Sequence, residues 1–269
     1  MYPQLFEFFG LKVSTYGVLV ALAMLVGYFL FLRFSKREGL GTDSSEFVFI
    51  VTVLAGLVGS RVAFIIEHPE FVETPLDIFA IWKGGVSFFG GLLGAILAFI
   101  LAVRIKNLPL WKASDAAAPS LVLAHSIGRL GCTSAGCCYG RPVPGAEDLS
   151  VGIHFMKEFP FFYVVFPPGG TAPPSMALYP TQILEALGNL IIFIILLIMY
   201  RRKAFDGEVI VLYMILYGSL RFALEFYRGV TPPIEGLGLT WNQVVALGLI
   251  GVGVVLFWFL RKQESHTAV

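Results

Sequence analysis

The sequence predicts an all-α integral membrane protein. It would have seven transmembrane helices, its N-terminus outside, its C-terminus cytoplasmic, and a small extracytoplasmic cap between helices four and five. Three observations carry this. First, the 269-residue chain is 57% hydrophobic and only 14% charged, whereas a soluble domain carries roughly 25% charged residues. Its mean hydropathy is +0.81, and a soluble chain this apolar would expose large patches and aggregate. Second, seven apolar runs have the length of about 17–25 residues that a bilayer crossing needs. Third, the basic residues gather in alternate connections. The net charge of +1 includes no basic run, so nucleic acid is not an expected partner. The length suits one polytopic membrane domain over 1–269.

The runs lie at 16–33, 47–66, 86–103, 113–131, 179–200, 209–226 and 241–260. The first lacks a basic n-region and a small-residue cleavage site, so it is expected to remain as a span. The second contains Arg61. The third follows Lys83-Gly84-Gly85, whose glycines would let backbone approach a ligand. Within it, Gly90 and Gly94 form a small-xxx-small face suited to close helix packing. The fourth is diluted by Asp115, Ser120, His125 and Arg129. The fifth carries Glu185 near its start. The sixth holds Arg221 and Glu225 at i,i+4, on one face.

Between helices four and five, residues 132–178 form the longest connection. Pro167-Pro168-Gly169-Gly170 and Pro173-Pro174 are turn signals. The aromatic run 159–166 suits the headgroup level of a bilayer. This segment is expected to be a small folded cap, with a surface that meets lipid or an acyl-bearing substrate.

Orientation follows from charge. Arg33, Lys36, Arg37, Arg104, Lys106, Lys112, Arg201, Arg202, Lys203, Arg261 and Lys262 are eleven of nineteen basic residues, and all fall on one side. Glu67, Glu70, Glu73, Asp77, Glu147, Asp148 and Glu158 fall on the other. The positive-inside rule makes the first side cytoplasmic.

Charges inside the spans point to function. An arginine at the bilayer centre costs about 2.5–3.5 kcal/mol on insertion scales. Arg61, Arg129 and Arg221 outnumber the carboxylates expected near them, with Arg129 read as unpaired. Surplus guanidinium needs an anion, and its planar fork matches phosphate. A phospholipid headgroup is the anion a bilayer supplies, so the expectation is a phospholipid-binding cavity.

In order along the chain, several pieces match a known pattern. They are Tyr16-Gly17-Val18-Leu19, Gly59-Ser60-Arg61, Gly84-Gly85-Val86-Ser87-Phe88 before Gly90-Gly91, and Gly128-Arg129-Leu130-Gly131. Then come Tyr179-Pro180-Thr181-Gln182-Ile183-Leu184-Glu185, Tyr217-Gly218-Ser219-Leu220-Arg221 and Glu225-Phe226-Tyr227-Arg228. With this order and spacing the chain resembles the prolipoprotein diacylglyceryl transferase family over almost its whole length. That resemblance implies a seven-helix enzyme of the bacterial inner membrane. It would move a diacylglyceryl group from phosphatidylglycerol to the lipobox cysteine of a preprolipoprotein, or to another thiol-bearing acceptor. Arg129 would hold the headgroup. Arg221 and Glu225 would form the catalytic face. Tyr16, Arg61, Gln182 and Glu185 would line the lipid cavity.

The chain departs from the family pattern at four positions. Phe89 stands where the family has a His, Cys132 and Ala135 where it has Asn, and Cys137 where it has an acidic residue. His125, one turn before Arg129, is a candidate base. Cys137 is a candidate nucleophile, since neighbouring cations favour a thiolate. A Cys132–Cys137 disulfide and inert packing are the alternatives. The thiols and His125 match no common zinc spacing, so neither metal nor cofactor is expected. Two other functions stand beside the transferase: a membrane thiol–disulfide oxidoreductase using Cys132, Cys137, Cys138 and a quinone, and a non-catalytic phospholipid-binding relative. The arginines favour phosphate chemistry over quinone chemistry.

Overall fold

The computed structural model describes residues 4–8, 11–72, 74, 85–229 and 231–267. Glu73, Asp77, Lys83 and Gly84 lie outside them. Seven α-helices occur among the described residues: α1 (Thr15–Arg37), α2 (Thr42–Glu67), α3 (Phe88–Ile105), α4 (Leu110–Ala135), α5 (Thr181–Tyr200), α6 (Glu208–Glu225) and α7 (Trp241–Thr267). Each contains or closely overlaps an expected run. Five are long and apolar enough to cross a membrane: α1, α2, α3, α5 and α7. The other two carry Lys112, Asp115, His125 and Arg129 (α4) and Glu208, Arg221 and Glu225 (α6). These polar residues lower the hydropathy of the two helices.

The all-α expectation needs correcting in two places. An antiparallel hairpin pairs β1 (Gln4–Phe8) with β2 (Leu11–Ser14). A three-stranded antiparallel sheet joins β3 (Gly152–Phe155), β4 (Phe162–Val165) and β5 (Ala177–Leu178) within the expected cap. The cap also begins later than expected. Helix α4 runs on to Ala135, so Cys132 is helical.

Large apolar side chains are exposed along the helices while several polar ones are buried. Phe29, Leu54, Val58, Leu93, Leu101, Val255 and Trp258 are exposed, while Gln182, Glu185, Asn189, Glu225 and Gln243 are buried. Such a surface suits lipid, where internal polar groups must find partners within the protein.

The chain forms two compact units. In the unit of residues 30–117, α2 and α3 pack at backbone contact. A Cβ on Gly59 would lie 2.6 Å from the Gly90 carbonyl, and one on Gly94 would lie 2.7 Å from that of Ala55. A Cβ on Gly90 would collide with Ala63. The expected small-residue face is present and has a matching face on α2. Ser87 extends the contact: its N–H donates to Ser60 O at 2.9 Å and its hydroxyl to Glu67 Oε1 at 3.0 Å.

The second unit comprises residues 1–29 and 118–269. Val164, Phe166, Ala172 and Leu178 form the core of its sheet region, with Tyr139 and Ile183 packed against them. Residues 140–141 thread between the start of α5 and the end of α6. Gly140 N–H donates to Tyr179 O at 3.0 Å and Arg141 N–H to Tyr227 O at 2.9 Å, while Tyr179 N–H returns a bond to Arg141 O at 3.1 Å. Only glycine fits at 140: a Cβ would stand 2.6 Å from two backbone oxygens.

Candidate functional site

Three polar stripes meet in the unit of 1–29 and 118–269. On α4 the stripe is His125, Arg129 and Cys132. On α5 it is Gln182, Glu185 and Asn189. On α6 it is Tyr213, Tyr217, Arg221 and Glu225. Each follows the three- and four-residue spacing that keeps side chains on one helix face.

Glu185 is the hub of the first cluster. Arg129 Nη2 lies 3.0 Å from its Oε1, and His125 Nε2 lies 3.6 Å from the same oxygen. Tyr217 OH donates to that oxygen at 3.4 Å, and Arg129 Nε–H donates to His125 Nε2 at 3.2 Å. The His125 and Tyr217 rings sit 5.3 Å apart, with Tyr213 stacked on Tyr217 at 5.6 Å. Arg129 is therefore paired, which corrects the expectation of an unpaired cation. A guanidinium has five donors, and one carboxylate does not use them all. His125 Nε2 accepts from Arg129 here. Its ring orients the guanidinium, and that bond must break before Nε2 could take a proton.

Arg221 and Glu225 form the second cluster. Nη1 and Oε2 lie 2.7 Å apart, an ion contact whose angles fall outside hydrogen-bond geometry. The other carboxylate oxygen accepts from Thr240 Oγ1 at 3.1 Å and Asn242 Nδ2 at 2.9 Å. Glu225 is thus clamped from the start of α7, while Arg221 Nη1 keeps unused hydrogen-bonding capacity. The charges of both Arg129 and Arg221 reach His125 and Tyr217, so the two clusters share one electrostatic neighbourhood. The expected surplus of cations does not hold for Arg129 and Arg221, each of which has a glutamate.

Two amides complete the site. Gln182 Nε2 donates to Cys137 O at 2.8 Å, leaving its buried Oε1 without a partner. Asn189 is fully buried with neither amide atom partnered. An unmade buried hydrogen bond costs about 1–3 kcal/mol, so these atoms are poised for a ligand or water. Asn189, Thr240 and Asn242 escaped the sequence reading, and Tyr217 entered it only as part of the sixth-helix pattern, without a role. The spacing Gln182–Glu185–Asn189 is the signal that could have found Asn189.

The three thiols are free and converge, with their Sγ atoms within 4.8 Å of one another. Cys137 Sγ also lies 3.8 Å from Cys132 O. Hydrogen bonding with Cys132 holds the Cys138 thiol below its usual range and pushes Cys137 above it. Arg129 and Arg228 add to the field at Cys138, while Arg141 stacks over the Tyr179 ring at 5.7 Å. Tyr16 joins this group. Its ring is 3.3 Å from where a Cβ on Gly131 would stand, and electrostatic interactions link it to all three thiols.

Arg61 and Phe89 belong to the other unit. Arg61 Nη1 donates to Gly85 O at 2.9 Å, and its guanidinium lies 5.5 Å from the centre of the Phe64 ring. It holds the segment leading into α3. Phe89, in the first turn of α3, is exposed.

A family model described as prolipoprotein diacylglyceryl transferase matches residues 3–259. A phosphatidylglycerol–prolipoprotein diacylglyceryl transferase of Clostridium tetani is 33% identical over 96% of this chain and 97% of its own length. One from Clostridium perfringens, numbered 2, is 30% identical over 97% and 95%. One from Staphylococcus aureus is 31% identical over 96% and 89%. None of these relatives is a thiol–disulfide oxidoreductase.

Proposed function

Because this chain belongs to the prolipoprotein diacylglyceryl transferase family, we propose that it transfers a diacylglyceryl group from phosphatidylglycerol to the lipobox cysteine of a preprolipoprotein. The acceptor sulfur attacks the primary carbon of the glyceryl group, and glycerol phosphate leaves with the electron pair of the C–O bond. Negative charge grows on the departing phosphate. Fixed guanidiniums in a water-poor site stabilise such charge without reorganising.

The observation that carries this is the pair of partly buried arginines, Arg129 and Arg221, each anchored by a buried glutamate and each with donors to spare. Arg129 holds the headgroup. Arg221 and Glu225 act as one unit beside the reacting phosphate. Tyr16, Gln182 and Glu185 line the lipid site, with Glu185 and His125 fixing Arg129. Arg61, expected beside the lipid, holds the Gly85 carbonyl within its own unit.

The enzyme acts as one polytopic domain of the bacterial inner membrane. All seven helices span it, with the basic connections inside and the β3–β5 cap outside. Length supports this reading for α6: its 18 residues rise about 27 Å at 1.5 Å per residue, close to the thickness of a bilayer core.

Complementation tests the reading. Expressed in a strain depleted of its own diacylglyceryl transferase, this chain should restore growth and lipoprotein modification, and Arg129→Ala should not. Normal expression with unmodified prolipoprotein accumulating would refute it.

A further inference from the structure

The three cysteines are arranged as ligands. Cys132 sits in the last turn of α4, and Cys137 and Cys138 follow its end. Gly136 (φ 68°) turns the chain back, and Cys137 N–H donates to Cys132 O at 3.1 Å. Cys138 holds φ 60°, a left-handed conformation that non-glycine residues rarely adopt without a reason. Two side chains of α5 hold this loop from outside. Gln182 Nε2 donates to Cys137 O at 2.8 Å and Thr181 Oγ1 to Cys138 O at 2.9 Å. The backbone is therefore fixed by groups other than the thiols, and the thiols are left facing one another.

The spacing fits a single ion. Three thiolates bound at a Zn–S distance of about 2.3 Å in a tetrahedral shell lie about 3.8 Å apart. The Sγ atoms here lie within 4.8 Å of one another without any ion to draw them in. Linear spacing argued against zinc, because Cys-x4-Cys-Cys is no common pattern, but convergence in space does not depend on it. His125 is not a fourth ligand in this arrangement, since it is engaged by Arg129 and Glu185. Thiolate donors favour zinc, copper(I) or iron–sulfur centres. An iron–sulfur cluster calls for four cysteine or histidine ligands. Three protein ligands with an open fourth position are the mark of a zinc site that does chemistry.

We propose that Cys132, Cys137 and Cys138 bind one Zn2+ whose open fourth position takes the acceptor cysteine as a thiolate. This rests on the transfer reading above and supplies a way to deprotonate the acceptor. A thiol that coordinates zinc loses its proton outright, here to solvent. The zinc-held sulfur then forms its S–C bond to the glyceryl carbon as the C–O bond to phosphate breaks. The thioether product is neutral, binds weakly and departs. No electrons are exchanged with the metal. Arg129, whose charge reaches Cys132 and Cys138, places the headgroup beside the same cluster.

The test reads metal rather than turnover. Purified intact protein should carry about one equivalent of zinc, falling below about a tenth in Cys132→Ser/Cys137→Ser/Cys138→Ser protein that still melts cooperatively, at a lower temperature because the metal no longer stabilises the fold. Co2+ substituted for zinc should show thiolate-to-cobalt charge transfer and the strong visible bands of a four-coordinate site. A lipobox peptide should shift those bands, and its Cys→Ser counterpart should not. Zinc absent, zinc retained by the triple variant, a Cys132–Cys137 disulfide, or a diacylglyceryl adduct on Cys137 would each overturn the proposal. So would cobalt bands that ignore the peptide thiol. If metal binds as expected but the protein transfers nothing, the failure lies with the transfer reading.

Discussion

Glu185 organises the site, because it holds Arg129 at 3.0 Å and receives the Tyr217 hydroxyl. Removing one partner of a buried ion pair costs about 3–5 kcal/mol, since the other charge is left uncompensated. Arg129→Ala should therefore lower the melting temperature as well as abolish transfer. Adding Glu185→Gln should recover the stability and leave transfer lost by about 100-fold or more, the scale of removing a transition-state donor. Thermal melts and transfer rates measured on the same preparations check this, and recovery of transfer with stability would make Arg129 purely structural. Arg129→Lys should restore little, because lysine lacks the fork. The second pair offers a sharper test. On the proposed function Arg221 and Glu225 act as a unit, so single and double substitutions should be strongly non-additive in kcat/KM. Simple addition of small effects would place the pair away from the chemistry. The Arg221–Glu225 pair was legible in the sequence because i,i+4 spacing on a helix forces proximity. The Arg129–Glu185 pair was not, because it joins two helices across 56 positions, and only the tertiary fold creates it.

At the scale of elements, the apolar runs overlap all seven α-helices among the described residues. They misjudged ends where polar residues continue the helix. Helix α4 reaches Ala135 despite Arg129, Thr133 and Ser134, since Thr133 Oγ1 and Ser134 Oγ bond back to the carbonyls of Arg129 and Gly131. The short strands β3–β5 left no comparable signal: four-residue and two-residue strands hold too few alternations to read. Their core forms only when Val164, Phe166 and Leu178 meet. The thread at Gly140 is the most constrained link between α4 and the α5–α6 pair. Gly140→Ala should misplace the thiol loop and lower both stability and transfer. Gly145→Ala, where no atom lies within 4 Å of the added carbon, should cost only the roughly 1–2 kcal/mol of a left-handed backbone at its φ of 70°, less than the packing clash at Gly140. Comparing the two melting temperatures checks this, and equal effects would contradict the packing argument.

For the whole molecule, composition gives the membrane class before any coordinate is considered, and charge asymmetry supplies an expected orientation. Reporter fusions after Arg37, Lys106, Lys203 and Lys262 should be active in the cytoplasm, and one inserted near Gly145 should be active outside. The reverse pattern would invert the topology. The central claim, that this chain moves a diacylglyceryl group, is tested most directly by reconstitution. Purified protein in phosphatidylglycerol liposomes is given a lipobox peptide, and intact mass and released glycerol phosphate are followed together. The account predicts that the peptide gains one diacylglyceryl group on its cysteine in step with glycerol phosphate release, and that Arg129→Ala stops both. An unmodified peptide, or a peptide thiol oxidised at the expense of a quinone, would contradict it.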